Sequence, residues 1–150
     1  MTPPPRPIRV LIADDHPLLR RSFRLDLEAA GIEVCAEAAT GAEAVHAALA
    51  TRPDLCLLDV QMPEGGGIAA AEAIRRSLPG VRIVLITALP DGDGALAAAR
   101  AGADGYLSKD MDRRLLPHVL RAVAAGETAY PRGLLHPVLR ALHPPRRSET

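Results

Sequence analysis

The chain has no tryptophan, two tyrosines and one phenylalanine, so aromatic residues make up only 2% of it. That argues against a pocket walled by rings, such as a flavin site. Net charge is also missing: 18 basic residues balance 18 acidic ones. A neutral chain is a poor match for a general nucleic-acid or membrane surface. No apolar run approaches the length of a membrane span, and the start Met1-Thr2-Pro3-Pro4-Pro5-Arg6 lacks a signal-peptide core. A cytoplasmic protein with no membrane partner is expected. Cysteine is scarce. Cys35 and Cys56 show no CxxC spacing and no clustered histidines, which excludes an ordinary zinc site. Both fall in expected strands and are read as buried, reduced thiols. Lysine is scarcest of all. One of the 18 basic residues is Lys109 and the other 17 are arginine. A chain that otherwise uses guanidinium places its single compact ammonium at one position.

What is present is apolar. At 150 residues and 48% hydrophobic content, one domain with its own core is expected. Leu55-Cys56-Leu57-Leu58 runs straight into Asp59, between Asp54 and Pro63 with its following glycines. A short apolar run bounded in this way is a strand buried on both faces, with the Asp59 carboxylate at its carboxyl end. In an open parallel sheet that edge is where ligands bind.

The rest of the chain repeats the pattern. After a proline-rich leader (residues 1–7), a strand at 8–13 ends in Asp14-Asp15. A helix starting near Pro17 follows, capped by Asp15 or His16, carries Leu19, Phe23 and Leu27 on one face, and ends at Gly31. Strand 32–38 leads to a helix over 41–50, with Thr40 and Glu43 spaced as a capping box. Beyond Asp59, a helix over 68–78 precedes a strand at 81–87. Residues 90–94, rich in glycine, are read as a loop before an alanine-rich helix over 95–101. A short strand at 105–107 and a last helix within 112–125 complete the series, the helix burying Leu116, Leu120 and Val123. Pro117 requires that helix to start late, near Arg114, or to kink. A weak extra helix at 134–142 and a linker-like Pro144-Pro145-Arg146-Arg147 close the chain. Five alternations of strand and helix with short connections describe a parallel sheet covered on both faces.

The polar residues at the carboxyl ends of these strands form a set: Asp14 and Asp15, Asp59, Thr87 and, two residues past Leu107, Lys109. Three carboxylates gathered on one edge repel one another unless a cation is present, and Mg²⁺ suits carboxylates combined with water and phosphate. A hydroxyl and an ammonium beside them can hold a phosphoryl group, and an aspartate can accept one.

Ala13-Asp14-Asp15-His16-Pro17, Leu58-Asp59-Val60-Gln61-Met62-Pro63, Thr87-Ala88 and the block from Gly102 to Asp110 together resemble the receiver domain of two-component response regulators, most closely the NarL/FixJ subfamily. The resemblance covers residues 8–130. It implies a flavodoxin-like (CheY-like) doubly wound (βα)5 fold with strand order 2-1-3-4-5. It implies that Asp59 accepts a phosphoryl group from a sensor histidine kinase. It further implies that Asp14, Asp15, Asp59 and the Gln61 carbonyl hold Mg²⁺, that Lys109 contacts the phosphoryl oxygens, that Thr87 moves to meet them, and that Tyr106 swings inward as an output switch. Homodimerisation on phosphorylation is a further implication. In the implied order, strand one separates the strands bearing Cys35 and Cys56 by roughly twice the ~4.8 Å strand spacing, beyond disulfide reach.

The sequence departs from the family pattern in two places. Gly66 stands where an Asn or Asp usually precedes the third helix, which implies a weaker cap. The segment Ala88-Leu89-Pro90-Asp91-Gly92-Asp93-Gly94 is unusually rich in glycine, which implies a looser start to the fourth helix. Members of this subfamily usually carry a DNA-binding helix-turn-helix after the receiver. Residues 131–150 are expected to supply only a short helix and a linker. The chain is therefore read as the receiver part of a transcription regulator, or as a stand-alone receiver acting through protein contacts. In neither case are these residues expected to bind specific DNA. A flavin carrier on the same fold is disfavoured by the carboxylate edge. An aspartyl-phosphate phosphatase is disfavoured because its Asp-x-Asp-x-Thr spacing is absent. The expected chemistry is phosphoryl acceptance with slow self-dephosphorylation, without turnover of an external substrate.

Overall fold

Apolar strands that face helices on both sides must bury alternate residues in opposite directions. The structure, a computed structural model describing residues 6–134, does this throughout. Its elements in order are β1 (Arg9–Ala13), α1 (Pro17–Ala29), β2 (Glu33–Ala38), α2 (Gly41–Thr51), β3 (Leu55–Asp59), α3 (Gly66–Ser77), β4 (Arg82–Thr87), α4 (Gly92–Arg100), β5 (Gly105–Ser108) and α5 (Leu116–Ala124). The strands form one parallel sheet in the order β2-β1-β3-β4-β5, as the resemblance implied.

Leu11, Cys56, Leu58, Ile83 and Leu85 point to one side of the sheet, against Ala44 and Ala48 of α2, Ala70, Ala71 and Ile74 of α3, and Ala95 and Ala98 of α4. Val10, Ile12, Leu55, Leu57, Val84 and Ile86 point to the other, against Phe23 and Leu27 of α1 and Leu116, Leu120 and Val123 of α5. The first layer is built from small residues, so its helices lie close to the sheet. The second is filled by long aliphatic side chains. Each fully buried leucine contributes about 1.5–3 kcal/mol, so β3, buried along its whole length, is a rigid support for Asp59.

Several local expectations hold in detail. Thr40 Oγ1 accepts the Glu43 N–H at 3.0 Å, while the Glu43 carboxylate reaches back to the Ala39 N–H at 2.8 Å, one residue further than a standard box. Pro17 opens α1, although His16 caps it without a side-chain bond. The last helix starts late: a single 3₁₀ turn at Arg113–Leu115 precedes α5, leaving Pro117 in the first turn, where no donor is missed. The helix α3 has no side-chain cap, in line with its glycine entry.

Other expectations need correction. Residues 92–94 are helical, not loop: the Asp91 carboxylate accepts the Gly94 N–H at 2.6 Å, and this cap offsets the poor propensity of the two glycines. Cys35 is half-buried rather than buried, because a bulge in β2 between the partners of Val10 and Leu11 turns it off the regular register. Cys56 is fully buried, and both cysteines are free. Arg6, read as part of the leader, forms a fork-like pair with Asp54 at 2.7 and 2.9 Å. Residues 1–5 of that leader, residues 135–142 of the weak extra helix and the linker at 144–147 lie outside the described residues. Among the described residues, no helix is long and apolar enough to cross a membrane.

Candidate functional site

The strands β1, β3, β4 and β5 all end at one edge of the sheet, and their last residues or the residues just beyond them are polar. Asp59 is the final residue of β3 and Thr87 of β4, and both are buried. Asp14 follows β1 and is 1% exposed. Lys109 follows β5, held by its own N–H on the Thr87 carbonyl at 2.8 Å. Asp15, Asp59, Gln61, Thr87 and Lys109 line one cavity of about 240 Å³, together with His16, Ala88 and Leu89. Asp14 does not line it.

The charges are arranged around the single ammonium. Lys109 Nζ lies 3.0 Å from Asp59 Oδ2 and 3.0 Å from Asp14 Oδ2. It donates a well-directed hydrogen bond to Asp59. Toward Asp14 the alignment is poor, so among the described residues this buried oxygen has charge nearby but no donor aimed at it. The other Asp14 oxygen accepts the His16 N–H at 2.8 Å, and the Asp14 carbonyl accepts from Arg20 at 2.7 Å. Asp59 Oδ1 accepts the Gln61 N–H at 3.1 Å. Asp15 is exposed, with one oxygen 3.6 Å from His16 Nδ1.

Burial holds the Asp59 carboxyl above the usual carboxylate range. The hydrogen bonds from Lys109 and the Gln61 N–H only partly oppose this, and the Asp14 charge adds to it. Burial alone would lower the Lys109 ammonium, but its contacts with Asp59 and Asp14 outweigh burial and raise it.

Three carboxylates face one ammonium, which leaves the edge short of positive charge. Ligand atoms of Asp14, Asp15 and His16 lie within 4.8 Å of one another. That cluster, the orphaned Asp14 oxygen and the hard oxygen donors fit a divalent cation of the Mg²⁺ kind. Asp59, expected in the same group, is here engaged with Lys109 instead.

A model of the response regulator receiver domain family matches residues 10–121. The chain belongs to that family. The chain is 41% identical over 124 residues to an uncharacterized transcriptional regulatory protein, YxjL, of Bacillus subtilis, covering 82% of this chain and 57% of that protein. It is 40% identical over 129 residues to the nitrate/nitrite response regulator protein NarP of Escherichia coli, covering 85% and 60%. A crystal structure of a LuxR-family two-component response regulator from Aurantimonas superposes with a TM-score of 0.82 at 33% identity, covering 91% of this chain and 98% of that one. A CheY-like receiver domain protein from Methanospirillum hungatei gives 0.74 at 26%, covering 79% and 94%. The receiver spans about 60% of the length of the curated relatives it matches. It is a phosphorelay receiver of the NarL/LuxR type, a signalling domain of a transcription-regulator family. Membership sets aside the flavin-carrier and phosphatase alternatives.

Tyr106 sits apart from the charged group. Its ring is 2% exposed, already inward, and its hydroxyl accepts the Asp91 N–H at 3.2 Å. Two further residues shape the site and were not singled out from the sequence. A Cβ on Gly67 would overlap the Asp59 carbonyl oxygen, so α3 approaches the acceptor strand only because residue 67 has no side chain. A Cβ on Gly94 would overlap the Tyr106 hydroxyl in the same way. The glycine runs were visible, but which of them face a site depends on tertiary packing.

Proposed function

We propose that Asp59 is the phosphoryl acceptor of this receiver, that the protein works in the cytoplasm, and that a sensor histidine kinase is its donor. One observation carries the reading: Asp59 lines a cavity in which the only lysine of the chain touches it and the buried Asp14 at 3.0 Å each. In the transfer step an Asp59 oxygen attacks phosphorus, the phosphorus–nitrogen bond of the donor histidine breaks, and its electron pair stays on the imidazole, which takes up a proton. Asp59 is acceptor and its own reaction partner, so the chain acts once per phosphoryl group. Slow attack of water on the acyl phosphate resets it.

Asp14, Asp15, Asp59 and the Gln61 carbonyl would hold Mg²⁺, which supplies charge neutralisation for the transferring phosphoryl oxygens. Lys109 releases Asp14 and Asp59 to contact those oxygens. Thr87, whose hydroxyl accepts the Leu89 N–H at a long 3.4 Å, would turn toward them. Tyr106 reports the change to the surface around α4 and β5. The output is a protein–protein surface, including homodimerisation, that controls a DNA-binding region in regulators of this kind. Sequence-specific DNA binding is not expected of these 150 residues.

Intact-mass analysis with Mg²⁺ and a small acyl-phosphate donor tests the reading. One added phosphoryl group is expected in the wild type and none after Asp59→Asn or chelation. Undiminished labelling of Asp59→Asn contradicts it.

A further inference from the structure

The free edge of β5 is covered by a segment that follows α5. Gly126 turns the chain at φ +109°, and the backbone then runs parallel to β5 for a single bridge, Gly105 to Ala129. The Ala129 N–H donates to the Asp104 carbonyl at 3.0 Å, and the Tyr106 N–H donates to the Ala129 carbonyl at 2.8 Å. Gly105 allows this approach: a Cβ there would lie 3.2 Å from the Ala129 carbonyl oxygen. The next residue, Tyr130, places its ring 6.5 Å from that of Tyr106 and donates its hydroxyl to the Ala103 carbonyl at 2.7 Å. That separation is within the ~4.5–7 Å range in which aromatic rings attract. Burial, with the Asp104 charge adding to it, pushes the Tyr130 phenol up to about 12, so its hydroxyl stays a donor. Past Pro131, Leu134 packs with Tyr130 against the α3/α4 side of the sheet.

Tyr106 is therefore held from two sides. Its hydroxyl rests on the first turn of α4, at Asp91 and Gly94, and its ring and backbone rest on the strap. These are the two tyrosines of the chain. The strap is also the stretch through which the chain continues toward whatever follows residue 134.

We infer that residues 128–134 form an output strap in which Tyr130 is a positioning residue: its docking on β5 holds Tyr106 buried, so that phosphorylation of Asp59 and docking of the strap favour each other. This rests on the reading of Tyr106 as the switch. Linkage makes the coupling reciprocal. Loosening the strap must weaken binding at Asp59, and filling the Asp59 site must change the surroundings of Tyr130.

The test uses 3-fluorotyrosine incorporated into the full chain, which gives one ¹⁹F resonance for each tyrosine, assigned with Tyr130→Phe. Beryllofluoride with Mg²⁺ serves as the phosphoryl analogue. Both resonances are expected to shift together in the wild type. Tyr130→Ala is expected to raise the half-saturating beryllofluoride concentration about five-fold, and Tyr130→Phe, which keeps the ring, is expected to recover most of the affinity. A Tyr106 resonance that shifts while that of Tyr130 stays fixed overturns the strap and leaves the switch reading intact. So does an unchanged half-saturation in Tyr130→Ala. A Tyr106 resonance that stays fixed at saturating beryllofluoride overturns the switch reading itself, and the strap with it. Gly94→Ala, which crowds the Tyr106 hydroxyl without touching the strap, is the second variant: it should shift the Tyr130 resonance before any beryllofluoride is added, and an unmoved resonance counts against the coupling.

Discussion

Gly67 and Asp59 are in backbone contact. A Cβ on residue 67 would overlap the Asp59 carbonyl oxygen and stand 3.0 Å from Val60 Cα. The start of α3 is thereby pressed against the end of the acceptor strand. Both sides of the clash are backbone, so neither can swing away. Gly67→Ala should cost about 1–3 kcal/mol and slow Asp59 labelling. Gly80→Ala, with nothing within 4 Å of its added Cβ, is the control. Chemical denaturation of both variants checks this, and equal midpoints would contradict it.

The raised Asp59 pKa sets the sign of a stability effect. The folded state holds this proton more tightly than the unfolded chain, chiefly because the carboxyl is buried. Stability from this group is fully present below the ordinary carboxylate range and is lost as pH rises through the folded value. At neutral pH the ionised carboxylate therefore opposes folding. Asp59→Asn should melt higher than the wild type at neutral pH without Mg²⁺, with the gap closing on acidification. Thermal melts across about pH 4 to 8 decide it, and a lower neutral-pH midpoint for Asp59→Asn would count against the burial argument.

Lys109 touches both Asp14 and Asp59 at 3.0 Å, so it is placed to exchange one contact for another when a phosphoryl group arrives. Lys109→Ala should reduce switching more than labelling, since Mg²⁺ can neutralise much of the transferring charge. Labelling extent and phosphorylation-dependent dimerisation are to be measured on the same variant. Loss of labelling, with normal dimerisation of the fraction that is labelled, would reverse the assignment.

The thiols should differ. Cys56 is fully buried, and burial pushes its thiol up to about 12, whereas Cys35 is half-buried on a bulged strand. Thiolate is the reactive form. A chromogenic disulfide reagent should find two thiols in denatured protein and react with one, Cys35, far faster in native protein. Equal native rates would contradict the placement of β2.

Most of the site could be read from the sequence because it follows from one rule. Strands buried on both faces are apolar, so the first polar residues after each run mark the same sheet edge; Asp14, Asp59 and Thr87 stand first in that position, and Lys109 follows one residue past Ser108. What stayed hidden depended on contacts between distant elements. The glycines before Ala95 signalled a loop, yet the Asp91 cap starts the helix there. Cys35 was expected to be buried in its strand, but the β2 bulge falls at that position and leaves it half-buried. Nothing local in Gly67 or Tyr130 reveals that one faces the Asp59 carbonyl and the other the Tyr106 ring.

The central claim is that the phosphoryl group forms an acyl phosphate on Asp59 and nowhere else. Borohydride reduces an aspartyl phosphate to homoserine, so trapping of donor-treated protein followed by peptide sequencing by mass locates the site. Homoserine at position 59, dependent on Mg²⁺ and absent from untreated protein, is the predicted result. Homoserine at position 14 or 15, or a stable phosphate on a hydroxyl or imidazole with position 59 unchanged, would contradict it.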